Sequence, residues 1–203
     1  MKKLVVFAFI TLLLSSCGEE QKRFVFQPNA DTGKDVSISH QNETGNWSSL
    51  DRIHMLSLSA NDSIPNDARF LLRFGFRTIP ETATIDSAYI YLAAIEPGHF
   101  GKNNSFNMCR IKNVWVNDKV NWQDQPSIDK ESAVTFPAPT DNLQDYKIEV
   151  TNYVKDVLNK KYTNNGHMFM LEDETKSYKG LRFHSSNSEN EEKRPKLVVY
   201  YKE

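Results

Sequence analysis

Arg69-Phe70-Leu71-Leu72-Arg73-Phe74-Gly75-Phe76-Arg77 is the stretch whose reading decides the fold. Phe70, Leu72, Phe74 and Phe76 alternate with Arg69, Leu71, Arg73, Gly75 and Arg77. That period of two belongs to a β-strand with one aromatic, buried face. Downstream, Ala88, Ile90, Leu92 and Ala94 alternate with Ser87, Tyr89, Tyr91 and Ala93 in the same manner. Further strands are expected at Ile53 to Ser59, Phe106 to Val116, His167 to Glu172, Gly180 to Ser185 and Lys196 to Tyr201. Weaker alternation marks Phe24 to Gln27, Val36 to Ser39, Val134 to Phe136 and Tyr146 to Val150. Only one stretch has a helical stripe: Val150, Val154, Val157 and Leu158 fall at i, i+4, i+7 and i+8. Thr151 or Asn152 is expected to cap its start, and Asn164-Asn165-Gly166 to supply a left-handed stop. Polar loops fill Gln41 to Leu50, Pro97 to Asn104 and Asn187 to Arg194. About ten short strands and one short helix predict an all-β sandwich in one domain.

The amino terminus has a different character. Lys2 and Lys3 precede an apolar run of 11 residues, Leu4 to Leu14, and then Ser15, Ser16 and Cys17. This order reads as a signal peptide over residues 1–16. A run of that length is too short to cross a hydrocarbon core, which needs about 20 helical residues. Leu14-Ser15-Ser16-Cys17 resembles the lipobox of bacterial lipoproteins, in which the cysteine is acylated and becomes the new terminus. Residues 17–23 then read as the lipidated Cys17 and a polar tether, and residues 24–203 as the folded domain. Glu19 and Glu20 resemble the surface-export signal of Bacteroidota-type lipoproteins. The expected location is therefore the outer membrane, on the cell surface or the periplasmic face, with membrane contact through the lipid anchor only.

Removing Lys2 and Lys3 takes the formal charge from −1 to −3, so nothing favours a nucleic-acid partner. With Cys17 lipidated, Cys109 has no intrachain partner, and the fold must rest on its apolar core. No G-x-S-x-G elbow, P-loop or dinucleotide fingerprint is present.

Three stretches together resemble the DNRLRE domain family, which overlaps carbohydrate-binding module family 96 and the disaggregatase-related repeats. The first is Ala68-Arg69-Phe70-Leu71-Leu72-Arg73-Phe74 with Ile79-Pro80 and Ala83-Thr84-Ile85-Asp86-Ser87-Ala88. The second is Trp115 to Trp122 with Gln125-Pro126. The third runs from Val150-Thr151 through Asn164-Asn165-Gly166 and Phe183-His184-Ser185-Ser186 to Arg194-Pro195-Lys196-Leu197-Val198-Val199-Tyr200. Two positions depart from the family pattern. Gly75 stands where an acidic residue is usual, and Glu43 to Trp47 matches the amino-terminal glycine motif only loosely. The resemblance implies a jelly-roll-like sandwich, a polysaccharide ligand of alginate-like acidic type, and partner glycan-degrading enzymes or transporters.

A site for acidic sugars needs an aromatic face and Arg or Lys donors for carboxylates. Arg69 and Arg73, Tyr89 and Tyr91, and Arg182 and His184 all point away from the core sides of their strands. If those strands share a sheet, they form a basic aromatic patch; otherwise the arginines pair with nearby carboxylates and the tyrosines cover the sheet. Loop aromatics Trp47, His99, Phe100 and Tyr178 form a second candidate set. Trp115 and Trp122 read as packing residues. Asp31, Asp35 and Asp86 are the acids available to a structural calcium site, which needs six to eight oxygens. Two other functions compete with glycan binding. One is a structural or adhesive module. The other is a polysaccharide lyase using Tyr178, Arg182 and His184.

Overall fold

The computed structural model describes residues 20–58, 66–174 and 178–203. The signal segment, Cys17 and the end of the strand expected at Ile53 to Ser59 lie outside the described residues.

Among the described residues, eleven strands form two antiparallel sheets. The smaller sheet has the order β1 (Lys22–Phe26), β11 (Lys196–Lys202), β5 (Thr84–Leu92), β8 (Tyr146–Glu149). The larger runs β10 (Lys179–His184), β3 (Arg52–Ser57), β4 (Asp67–Leu72), β9 (His167–Leu171), β6 (Phe106–Ile111), β7 (Ile128–Phe136). β2 (Asp35–Ser39) also pairs with β4. Ile90, Leu197 and Ile148 of the smaller sheet face Phe70, Phe106, Phe169 and Phe183 of the larger in one apolar core. Phe70 and Phe169 stack with centroids 4.5 Å apart, and Phe183 meets Phe70 edge-on at 6.2 Å. Each such buried side chain contributes about 1.5–3 kcal/mol by leaving water.

β4 does not have a single buried face. Leu71, on the side opposite Phe70 and Leu72, is fully buried in a second cluster with Val36, Ile38, Ile111, Trp115 and Met168. The cover is residues 112–127, which leave the strand expected at Phe106 to Val116 after Ile111. Trp115 donates from Nε1 to the Asn165 carbonyl at 2.7 Å, and Asn46 donates to the carbonyls of Asn117 and Val120. The middle of the larger sheet, around β4, is thus buried on both faces. The smaller sheet has no comparable outer cluster among the described residues.

Helix α1 (Thr151–Leu158) follows β8, and Val150 rather than Thr151 or Asn152 is its N-cap. Thr151 is turned inward, where its Oγ1 accepts the Ala88 amide at 3.0 Å. The helix stops well before Asn164-Asn165-Gly166. Lys160 takes the left-handed conformation after it (φ 60°), and Gly166 takes it just before β9 (φ 76°). At one side of the sandwich the sheets are joined: Ala94 bridges to Phe183, and the Ile95 amide donates to the Arg182 carbonyl. The start of β8 lies at this junction, since Asp145 accepts the Ala94 amide and the Tyr146 ring is 5.8 Å from that of Phe183. Among the described residues β8 and β7 are end strands of their sheets.

Candidate functional site

The outer face of the smaller sheet carries a partly exposed row made by strand register. Tyr91 lies directly between Lys147 of β8 and Lys196 of β11. One step along, Tyr89 lies between Glu149 and Val198. Directly opposed side chains in an antiparallel sheet start only about 4.5–5.5 Å apart at Cβ. The Lys147 ammonium is accordingly 4.0 Å from the Tyr89 ring centroid and 5.9 Å from that of Tyr91, and the Lys196 ammonium is 5.4 Å from Tyr91. Neither ammonium is ion-paired among the described residues. Beside Tyr91 and Lys196 a hollow of about 440 Å3 opens, with Gln27, Arg194 and Lys193 in its wall. Arg194 is held by its own bonds to the Ser188 carbonyl and Glu191.

This arrangement has a definite chemistry. A tyrosine ring offers a flat π-face to the C–H face of a pyranose, and its hydroxyl reaches the sugar's polar rim. Two unpaired ammonium groups beside that ring give a carboxylate a charged donor on either side. Lys147 and Lys196 were not singled out from the sequence. Each alternates with core residues, Lys147 with Tyr146 and Ile148, and Lys196 with Leu197, which fixes their outward direction. Their neighbours depend on strand order, which alternation does not give.

The other predicted residues are placed elsewhere. The six-residue patch is divided, because Tyr89 and Tyr91 belong to the smaller sheet while Arg69, Arg73, Arg182 and His184 belong to the larger. Arg69 is engaged in two bonds to the Glu174 carboxylate (2.8 and 2.5 Å) and one to Gln125, with Trp122 beneath its guanidinium at 4.6 Å. Arg73 lies 5.2 Å from the Trp115 ring, and burial lowers its pKa. Arg182 sits 4.6 Å from the Phe100 ring, and Phe100 contacts the exposed Tyr178 at 4.9 Å. His184 pairs through Nδ1 with Ser188 Oγ at 2.7 Å. His99 is buried and accepts the Arg182 amide at Nδ1. Trp47 is half-buried, and its amide donates to the Ser37 carbonyl. Tyr178 and His184, the pair a lyase would use, are thus each held by a different neighbour.

The calcium candidates also separate. Asp35 is buried, and both its oxygens accept from Ser186, at 2.9 and 3.0 Å. Burial raises its pKa to about 6. Asp86, on the smaller sheet, accepts from Gln21, and Asp31 sits in an exposed turn. Among the described residues, no three His, Cys, Asp or Glu side chains come together as a metal group would require.

A two-sheet sandwich with one covered outer face and one open aromatic, cationic face has the form of a surface-binding module. Residues 25–201 match the model of carbohydrate-binding module family 96, and the chain belongs to that family. No curated protein matches it.

Proposed function

We propose that this chain is a non-catalytic lipoprotein module that binds acidic polysaccharide on the outer face of its smaller sheet. The observation that carries the reading is the row Lys147–Tyr91–Lys196, an aromatic ring with an unpaired cation on each side. Membership of a carbohydrate-binding family supports a sugar ligand. The cations give the preference for uronates, because a carboxylate gains a charge-assisted bond that a neutral hydroxyl does not.

The anchor fits the same geometry. With Cys17 acylated, at most about 18 Å of chain separates the lipid from the start of β1 at about 3.6 Å per residue. Lys22 pairs with Tyr201 at one end of β11, whereas Tyr91 pairs with Lys196 at the other. The lipid therefore holds one end of the sheet near the outer membrane and leaves the tyrosine row at the far end. Polysaccharide held there is presented to partner glycan-degrading enzymes or transporters at the envelope.

The test is affinity electrophoresis of the chain through gels containing neutral or acidic polysaccharide. Retardation by an acidic glycan, reduced in Tyr91→Ala and Lys147→Ala but not in Arg182→Ala, is the expected result. Equal retardation of all four proteins would move the site off this face.

A further inference from the structure

The sandwich has a second concavity beside the end of β8. It has a volume of about 530 Å3 and lies between β6 and β7 of the larger sheet and the β8–α1 corner of the smaller. Its volume falls within the ~300–1,000 Å3 usual for small-molecule sites. The walls combine apolar and aromatic surface from Val134, Phe136 and Tyr162 with polar groups from Ser132 and Asn152. Val134 is 46% exposed and leaves apolar surface facing the hollow. Two of the bordering strands, β7 and β8, are end strands among the described residues, and such strands present backbone donors and acceptors on their free side. Sugar hydroxyls need such partners.

The charges in the concavity differ from those on the tyrosine face. Arg110 is bonded to Asp129 at 2.7 Å, with its guanidinium carbon 3.8 Å from the Tyr162 ring centroid. Asp156 is paired with Lys161 at 3.0 Å. Glu149 accepts a hydroxyl bond from Thr151 and has no ion pair among the described residues. The local excess is one carboxylate. A uronate entering here would meet repulsion and no free cation, whereas a neutral sugar ring would not. Glu149 is also the direct cross-strand neighbour of Tyr89. The two surfaces are therefore contiguous across β8.

We infer that this concavity is a second sugar subsite, selective for an uncharged sugar residue and continuous with the tyrosine face over the β8 edge. The inference rests on the glycan-binding reading and extends it: the module would read a polysaccharide that alternates, or carries branches of, acidic and neutral sugars. The charged face takes the uronate, and the concavity takes the neutral unit.

The test is calorimetric titration of the detergent-solubilised full chain with neutral tetrasaccharides (cellotetraose, laminaritetraose, mannotetraose) and with uronate tetramers (tetragalacturonate, a mannuronate tetramer). Ser132 and Asn152 are exposed, so Ser132→Trp and, separately, Asn152→Trp fill the concavity without disturbing the core. At least one neutral tetrasaccharide is expected to bind about tenfold more weakly to both variants, with uronate binding unchanged. Tyr91→Ala is expected to do the reverse. Neutral binding that survives both tryptophan substitutions overturns the subsite. So does uronate binding with no neutral binding, and that result leaves the glycan-binding reading standing. Failure of every tetramer to bind a folded sample overturns both.

Discussion

His167 offers a sharp test of the packing beneath α1. It is 5% exposed, its ring lies 4.3 Å from that of Tyr153, and burial with Arg110 nearby lowers its pKa to about 3. An unfolded histidine titrates near 6.5. Unfolding below that pH therefore takes up a proton that the native state refuses, and stability falls as pH drops from about 6.5 toward 3. Each pH unit crossed in that window costs about 1.4 kcal/mol, so moving from pH 7.5 to 4.5 costs about 2–3 kcal/mol through His167 alone. His54, lowered to about 4 by burial and by Arg52 and Arg182, adds a similar loss. Asp35 works in the opposite direction. With its native pKa raised to about 6, the folded chain takes up a proton there before the unfolded chain does, which offsets about 2 kcal/mol by pH 4.5. Together these three groups contribute a loss of about 3 kcal/mol between pH 7.5 and pH 4.5. Urea unfolding of the native chain and of His167→Gln at both pH values measures this directly. The variant should lose about 2–3 kcal/mol less on acidification, whatever its stability at neutral pH. An acid loss identical in the two proteins would refute the argument that His167 is held neutral by burial.

Arg69→Ala should leave binding to acidic polysaccharide unchanged, because its guanidinium is committed to Glu174 and Gln125, while urea unfolding shows a loss of about 1–3 kcal/mol from the unpaired, half-buried Glu174. Gly166→Ala should destabilise by more than ~1 kcal/mol in the same assay, since φ is 76° and a new Cβ would lie 2.2 Å from the Leu72 carbonyl oxygen. Cys17→Ser should move the protein from the membrane fraction to the soluble fraction on cell fractionation; unchanged membrane partitioning would rule out the lipid anchor.

Alternation along the chain is local, so it can be read without knowing the neighbours. That is why Phe70, Leu72, Ile90 and Leu92 are core residues as their period of two requires, and why Tyr89 and Tyr91 point outward. Leu71 shows where alternation stops being informative. Its face is buried too, because Trp115 and Val120 come from a loop far along the chain to cover it. Strand order is non-local in the same sense. Lys147 comes to lie beside Tyr91 only because β8 adds to the free edge of β5, and Lys196 because β11 fills the other edge. A patch built from Arg69, Tyr91 and Arg182 required their strands to share a sheet, and the chain crosses from one sheet to the other between them. Thr151 has the composition of a helix cap, yet tertiary demand for a partner to the Ala88 amide turns it inward. Packing outweighs local preference there.

The most direct test of the central claim is the salt dependence of acidic-polysaccharide binding by the native chain, Tyr91→Ala and the double variant Lys147→Ala/Lys196→Ala. The tyrosine-face account predicts that Tyr91→Ala weakens binding at every salt concentration. It also predicts that the double lysine variant binds weakly and has lost most of its salt dependence, because the two ammonium groups supply the charge-assisted contacts. Binding that keeps its full affinity and salt dependence in both variants would contradict it.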